Sequence, residues 1–335
     1  MKDKKLKLIC NGIKIAIALV IIFFIVKDIN LNQFWNYIIS SNKSILFLYV
    51  LLIFLDRVLM AFKWNILLKT LELRLKLGDL VHLYLASTIS GIFLPTTVGS
   101  DFFRIAYLSK MKNYSGSKVI ASIVIERVLA LLAAVLLALI SLIFAFFVMK
   151  QKSDIFAISI QVVLLGIGLC CVVVTFFLLG FYHKWNLFNN LHDRLSKIKI
   201  YDKCVRLIQA IQIYRHNKHA LLSFFLLTFL EQLVPTICIY LLVLALGVLQ
   251  VNLVLIFVVV PVITLSIRLP ISIDGWGIKE GLFVFLFGFI NIGPEVALAV
   301  STIDRFLPFA VSIPSFLYLY FSTNFRTLTT VQMKG

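Results

Sequence analysis

The chain has 335 residues, 61% of them hydrophobic and 14% charged, whereas soluble domains run at about 45–50% and about 25%. That balance excludes a soluble globular fold. Lys and Arg outnumber Asp and Glu 32 to 15, which in a soluble protein would raise nucleic acid as a partner. Here segments 1–14, 63–79, 101–118 and 183–219 hold +15 of the net +17, so the surplus is topological and no nucleic-acid partner is expected.

The first apolar run, about 9–26, follows a lysine-rich start but precedes no small-residue cleavage site, so it reads as an uncleaved first span with a cytoplasmic N-terminus. A lightly charged outer loop over 27–44 leads to a second span at 45–62, whose end at Lys63-Trp64 reads as an interfacial anchor. Residues 80–98 are apolar but carry Gly91 and Pro95, and basic residues flank both sides. A re-entrant pair of half-helices fits this better than a crossing. Spans follow at 119–149 and 155–182, then a basic amphipathic stretch over 183–218 that links two membrane halves, 1–182 and 219–325. The second half offers spans at 219–247 and 252–269, a broken polar element over 270–290 that contains Pro270, Gly275 and Gly277, and a last span at 295–321. The fold class is therefore an all-α polytopic membrane protein of seven to eight spans plus two broken elements. The continuous apolar runs do not fit the alternating strands of a membrane barrel.

Sliding the chain by 178 residues lays Gly99 on Gly277, Glu126 on Asp304 and Arg127 on Arg305, which suggests a duplicated half. Counting 252–269 as a full crossing gives both halves the same orientation. It also leaves the C-terminus outside, against Arg326 and Lys334.

Charges at membrane depth cost about 2.5–3.5 kcal/mol each on insertion scales, so they mark protein interiors or wet paths. Candidates are Asp56-Arg57, Glu126-Arg127, Glu231, Arg268, Asp274, Lys279, Glu280 and Asp304-Arg305, with Asp101 and Arg104 beside the first break. Neighbours on a helix point about 100° apart, so each member of an acid-Arg doublet needs a partner from another helix. The charges then either brace the bundle as ion pairs or line a polar cavity; three doublets favour the cavity. Asp56-Arg57 is the weakest of them, lying within two turns of the expected cytoplasmic boundary. Broken helices add exposed backbone N–H groups and positive dipole ends that suit phosphate, with Gly91, Pro95 and Gly99 permitting the first break and Pro270, Gly275 and Gly277 the second. No cysteine spacing suggests a disulfide framework or a metal, and no phosphate-binding loop suggests ATP hydrolysis, so no cofactor is expected.

The residues Arg57 with Trp64-Asn65-Ile66-Leu67-Leu68, Leu94-Pro95 with Gly99-Ser100-Asp101-Phe102-Phe103-Arg104, Glu126-Arg127, and Pro270 with Gly275-Trp276-Gly277-Ile278-Lys279-Glu280 occur in one order. In that order the chain resembles the lysylphosphatidylglycerol synthase transmembrane-domain family over about 10–325. One departure is Ala130, where the family often places an acid. No soluble acyltransferase-like domain follows, so the resemblance implies the lipid-translocating half without the synthetic half. It further implies a bacterial cytoplasmic membrane, a phospholipid or aminoacyl-phospholipid substrate, a possible lipid-modifying enzyme as partner, and a role in resistance to antimicrobial peptides.

The leading expectation is a flippase-like lipid translocase. Arg104, Arg127 and Arg305 would meet the phosphate; Glu126, Asp304 and Glu280 would take a cationic headgroup or coupling protons; and Arg57, Glu231 and Lys279 would complete the site. Two alternatives stand beside it. A membrane enzyme of lipid modification or polyprenyl-phosphate glycosylation would depend on an outer-loop acid, for which only Asp28 is available. An accessory scaffold for a lipid synthase would depend on the basic stretch instead.

Overall fold

The computed structural model describes Lys27, residues 29–93, 99–110, 114–148, 209–268 and 275–321, and six single positions between 160 and 171. The expected spans at 9–26 and most of 155–182, most of the basic linker, and Asp28, Pro95, Pro270 and Asp274 lie outside the described residues.

The described residues form α-helices joined by turns. They are α1 (Leu31–Ser40), α2 (Lys43–Thr70), α3 (Leu77–Phe93), α4 (Gly99–Ser109), α5 (Gly116–Val148), α6 (Lys218–Glu231), α7 (Val234–Ala245), α8 (Leu253–Ile267), α9 (Ile278–Phe289) and α10 (Pro294–Phe321). Among the described residues four stretches are long and apolar enough to cross a bilayer: Lys43–Thr70, Gly116–Phe144, Lys218–Ala245 and Pro294–Phe321. The protein is thus a polytopic helical membrane protein.

Asparagines start three helices. Asn30 accepts from the backbone N–H of Asn32 and Gln33, Asn42 from Ser44 and Ile45, and Asn252 from Val254 at 2.8 Å, which satisfies donors that the first turn leaves free. The loop expected at 27–44 is largely α1, an amphipathic helix that buries Phe34 and packs on α10. The second span runs eight residues past its expected end, to Thr70. Lys63 and Trp64 therefore lie inside the protein, 2% and 0% exposed, and the reading of them as interfacial anchors is corrected. The run at 219–247 is divided at Gln232-Leu233, with Pro235 in the first turn of α7.

Each expected break falls between two helices, α3 and α4 in the first half and α8 and α9 in the second. The halves correspond element by element. Lys43 and Lys218, Leu77 and Leu253, Gly99 and Ile278, and Gly116 and Pro294 open equivalent helices 175–179 residues apart. The two most extensive helix contacts cross between halves, α3 against α10 and α8 against α5. One apolar core gathers Tyr49, Ile53, Ile239, Val260, Ile263, Phe283 and Val300 around α7–α10. A second gathers Trp64, Leu67, Leu83, Ala121, Tyr214 and Phe224 around α2, α3, α5 and α6.

Candidate functional site

The doublets Glu126-Arg127 and Asp304-Arg305 are each paired crosswise by the short helix that precedes them. In the first half Arg104 of α4 donates to Glu126 of α5 at 2.9 Å. Arg127 grips Asp101 of α4 through Nε and a terminal nitrogen, both at 2.8 Å. Arg104 also pairs with Asp101, one turn away on its own helix. In the second half Lys279 of α9 meets Asp304 of α10 at 2.6 Å, and Arg305 donates to Glu280 of α9 at 2.8 Å. Since adjacent residues diverge around the helix, one short helix carrying an acid and a base answers both members of a doublet.

Aromatic residues complete each cluster. Tyr84 donates to Glu126 at 2.6 Å and Tyr49 to Asp304 at 2.8 Å. The Arg104 guanidinium lies against both Trp64 and Tyr84, 4.7 and 4.6 Å from their ring centres, and Arg305 lies 4.4 Å from Trp276. Cation–π contact and carboxylates together replace the hydration that these cations lose. Trp64 is held in turn by its Nε1–H, which donates to Ser122 at 3.1 Å.

The clusters differ in openness. In the first, Arg104 is 1% exposed while the Arg127 side chain is half exposed. Lys279 and Asp304, with Asp56 and Arg57 of α2, instead line a cavity of about 270 Å³, near the lower end of small-molecule sites. Its remaining walls include Pro235 and Cys238 of α7, Thr264 of α8 and Phe283 of α9. Asp56 and Arg57 face each other loosely, at 3.8 Å. Asp56 Oδ1 and Arg57 Nε are buried without a hydrogen-bond partner, while an Arg57 terminal nitrogen rests on the Met60 sulfur at 3.2 Å. An unmatched acceptor and an unmatched donor thus share one hollow with a complete Lys–Asp pair.

Asp56-Arg57 lies farther from the end of its helix than the expected span gave. Because α2 continues to Thr70, the doublet sits about four turns from the helix end. Glu231 does not join either cluster; it pairs with Lys63 at 2.6 Å, both buried, and ties α6 to α2. Arg268, at the end of α8, donates to Gln232 at 3.1 Å. Gly277 adopts φ 78 and its N–H donates to Glu280 at 2.8 Å, which shapes the start of α9. Gly275, at φ 70, accepts from Arg305 through its carbonyl. Gly99 opens α4 within the described residues, and Gly91 lies in the last turn of α3.

The sequence reading did not place Lys63, Trp64, Tyr49, Tyr84 or Trp276 in the site. Single aromatic residues in a chain with 30 phenylalanines and 11 tyrosines carry no spacing signal, and Lys63 looks like an anchor until the true length of α2 is known. Among the described residues no group of acids, histidines and cysteines could hold a metal ion.

The family described as "Lysylphosphatidylglycerol synthase TM region" matches residues 12–315, which takes in both clusters and the cavity. The chain is also similar to the UPF0104 membrane protein MJ1595 of Methanocaldococcus jannaschii, at 23% identity over 320 residues that cover 91% of this chain and 92% of that protein. With the matched region spanning both halves and every paired doublet, the chain belongs to the lysylphosphatidylglycerol synthase transmembrane-region family.

Proposed function

We propose that the protein translocates phospholipid across the cytoplasmic membrane, its basic segments facing the cytoplasm. The headgroup occupies the cavity of Asp56, Arg57, Lys279 and Asp304 while the acyl chains stay in lipid. The observation that carries this reading is the pair of unmatched polar atoms, Asp56 Oδ1 and Arg57 Nε, in a hollow walled by five helices. A buried polar atom without a partner is rare in a folded protein and calls for an explanation. A headgroup with phosphate and ammonium supplies an acceptor to Arg57 and a donor to Asp56 at once. A zwitterionic or aminoacyl phospholipid therefore fits better than a simple anion. Movement of an aminoacyl lipid to the outer leaflet would lower that leaflet's negative charge, which connects the activity to resistance against cationic peptides.

The test uses purified protein in vesicles that carry a fluorescent phospholipid, with a membrane-impermeant quencher reporting transbilayer movement. Arg57→Gln and Asp56→Asn each slow the movement at least tenfold, the factor that corresponds to about 1.4 kcal/mol of lost headgroup interaction. Arg305→Ala, at the pairing that positions α9 against α10, slows it as well. A folded Arg57→Gln protein that moves lipid at the normal rate removes the cavity from the mechanism. Native Cys238 offers a binding readout, because it lines the same hollow and a short-chain phospholipid protects it from a small thiol reagent.

A further inference from the structure

Among the described residues, every carboxylate at membrane depth but one is held by a base through a hydrogen bond. Asp101 is held by Arg127 at 2.8 Å, Glu126 by Arg104 at 2.9 Å, Glu231 by Lys63 at 2.6 Å, Glu280 by Arg305 at 2.8 Å and Asp304 by Lys279 at 2.6 Å. Asp56 is the exception. The base beside it, Arg57, comes no closer than 3.8 Å, beyond hydrogen-bond range. Its Oδ1 is buried without a partner, in the wall of the cavity.

The groups around Asp56 leave this deficit in place. On α2 itself, Tyr49 stands two turns before it and Lys63 two turns after it, on the same face. Tyr49 donates to Asp304, and Lys63 is bound to Glu231 of α6. The cavity brings Cys238 from α7, Lys279 from α9 and Asp304 from α10, with Thr264 as the polar group of the α8 wall. Lys279 is already bound to Asp304. A buried carboxylate short of donors costs several kcal/mol. A proton is the smallest ligand that removes this cost, and it turns an unmatched acceptor into an O–H donor.

We propose that Asp56 holds a proton while no headgroup is bound, and exchanges that proton for the ammonium of an incoming phospholipid headgroup. The exchange balances: the Asp56 O–H bond breaks, the proton leaves to water, and the ammonium donates an N–H to the freed carboxylate while keeping its own charge. The phosphate of the same headgroup takes Arg57 Nε. The inference rests on the headgroup reading above and adds a second ligand, the proton, that competes for one oxygen atom. Competition also sets a direction. A headgroup loads best from the side poorer in protons and is displaced best on the side richer in them, so a pH difference across the membrane drives lipid toward the acidic side.

Titration calorimetry of the detergent-solubilised protein, run at one pH in two buffers of different ionisation enthalpy, counts the protons released for each lipid bound. The probes are dihexanoyl-phosphatidylethanolamine, which carries an ammonium, and dihexanoyl-phosphatidylglycerol, which carries none. The first releases about one proton per molecule bound, and its apparent affinity drops about tenfold for each unit of falling pH over the range in which Asp56 is protonated. The second binds through its phosphate and releases none; equal release by both lipids overturns the exchange. Asp56→Asn binds phosphatidylethanolamine more weakly and without proton release. The double variant Lys63→Met with Glu231→Met removes the neighbouring acid, keeps Asp56 and still releases the proton; loss of release there assigns the proton to Glu231 and overturns the proposal. An infrared difference spectrum of the unsubstituted protein gives a readout that no variant's folding affects, since the band of a protonated carboxyl disappears when phosphatidylethanolamine binds. Binding with neither proton release nor loss of that band overturns the exchange and leaves the headgroup site standing. Absence of binding by both lipids removes the headgroup site, and the exchange with it.

Discussion

Lys63 illustrates how burial changes the meaning of a charge. Its ammonium lies 2.6 Å from the Glu231 carboxylate and 5.4 Å from the Phe224 ring centre, with almost no exposure. Removing one partner strands the other in an apolar interior, a loss of about 3–5 kcal/mol, whereas replacing both by apolar residues of similar volume is near neutral. Lys63→Met and Glu231→Met each lower the thermal midpoint of the detergent-solubilised protein, and the double variant recovers most of it. Additive losses in the double variant would show that the pair is not coupled. Trp64 behaves differently, since it supplies volume, a ring face for Arg104 and a hydrogen bond to Ser122. Trp64→Ala costs about 3–5 kcal/mol through the void it leaves, and Trp64→Phe, which keeps a ring face, recovers part of that in the same melting experiment.

Single elements are set by local chemistry that can be tested at their ends. Gly277 holds φ 78 at the start of α9, where a β-carbon is disfavoured by about 1–2 kcal/mol. Gly277→Ala therefore lowers stability by that amount, and it tilts Glu280 away from Arg305 because the Gly277 N–H holds the Glu280 carboxylate. Gly275 is tighter still: at φ 70, an added β-carbon would lie 2.8 Å from Ile267 Cγ2. Gly275→Ala therefore has the larger effect of the two, measured as the thermal midpoint. Gly78 lies near the start of α3 with nothing within 4 Å of an added β-carbon, and Gly78→Ala is the mild control. Asn42 belongs to the same scale. Its side chain caps α2 through Ser44 and Ile45, and Asn42→Ala costs about 1 kcal/mol.

At the scale of the whole molecule, the halves meet through small residues. Ala134 and Ala138 of α5 pack against Leu265 of α8, and such small residues allow the close helix approach on which membrane bundles depend. Ala138→Leu overfills this contact and destabilises by about 1–3 kcal/mol, with a larger loss of folded yield than Ile140→Leu on the same helix, since Ile140 is exposed. The spans that begin near 45, 119 and 295, the breaks, the doublets and their 178-residue recurrence were legible in the sequence, because insertion energetics and helix geometry act on each segment separately. The recurrence already aligned Glu126-Arg127 with Asp304-Arg305 before any helix was placed. By itself, then, the sequence determined an all-helical membrane protein and which charges required partners. Which partner each charge takes was decided only by tertiary packing. Asp101 reaches Arg127 across 26 residues, Tyr49 reaches Asp304 across 255, and Lys63 turns from an anchor into a buried pair with Glu231. That choice depends on the rotation and depth at which separate helices dock. Van der Waals fit between faces sets both, and no segment carries that information alone.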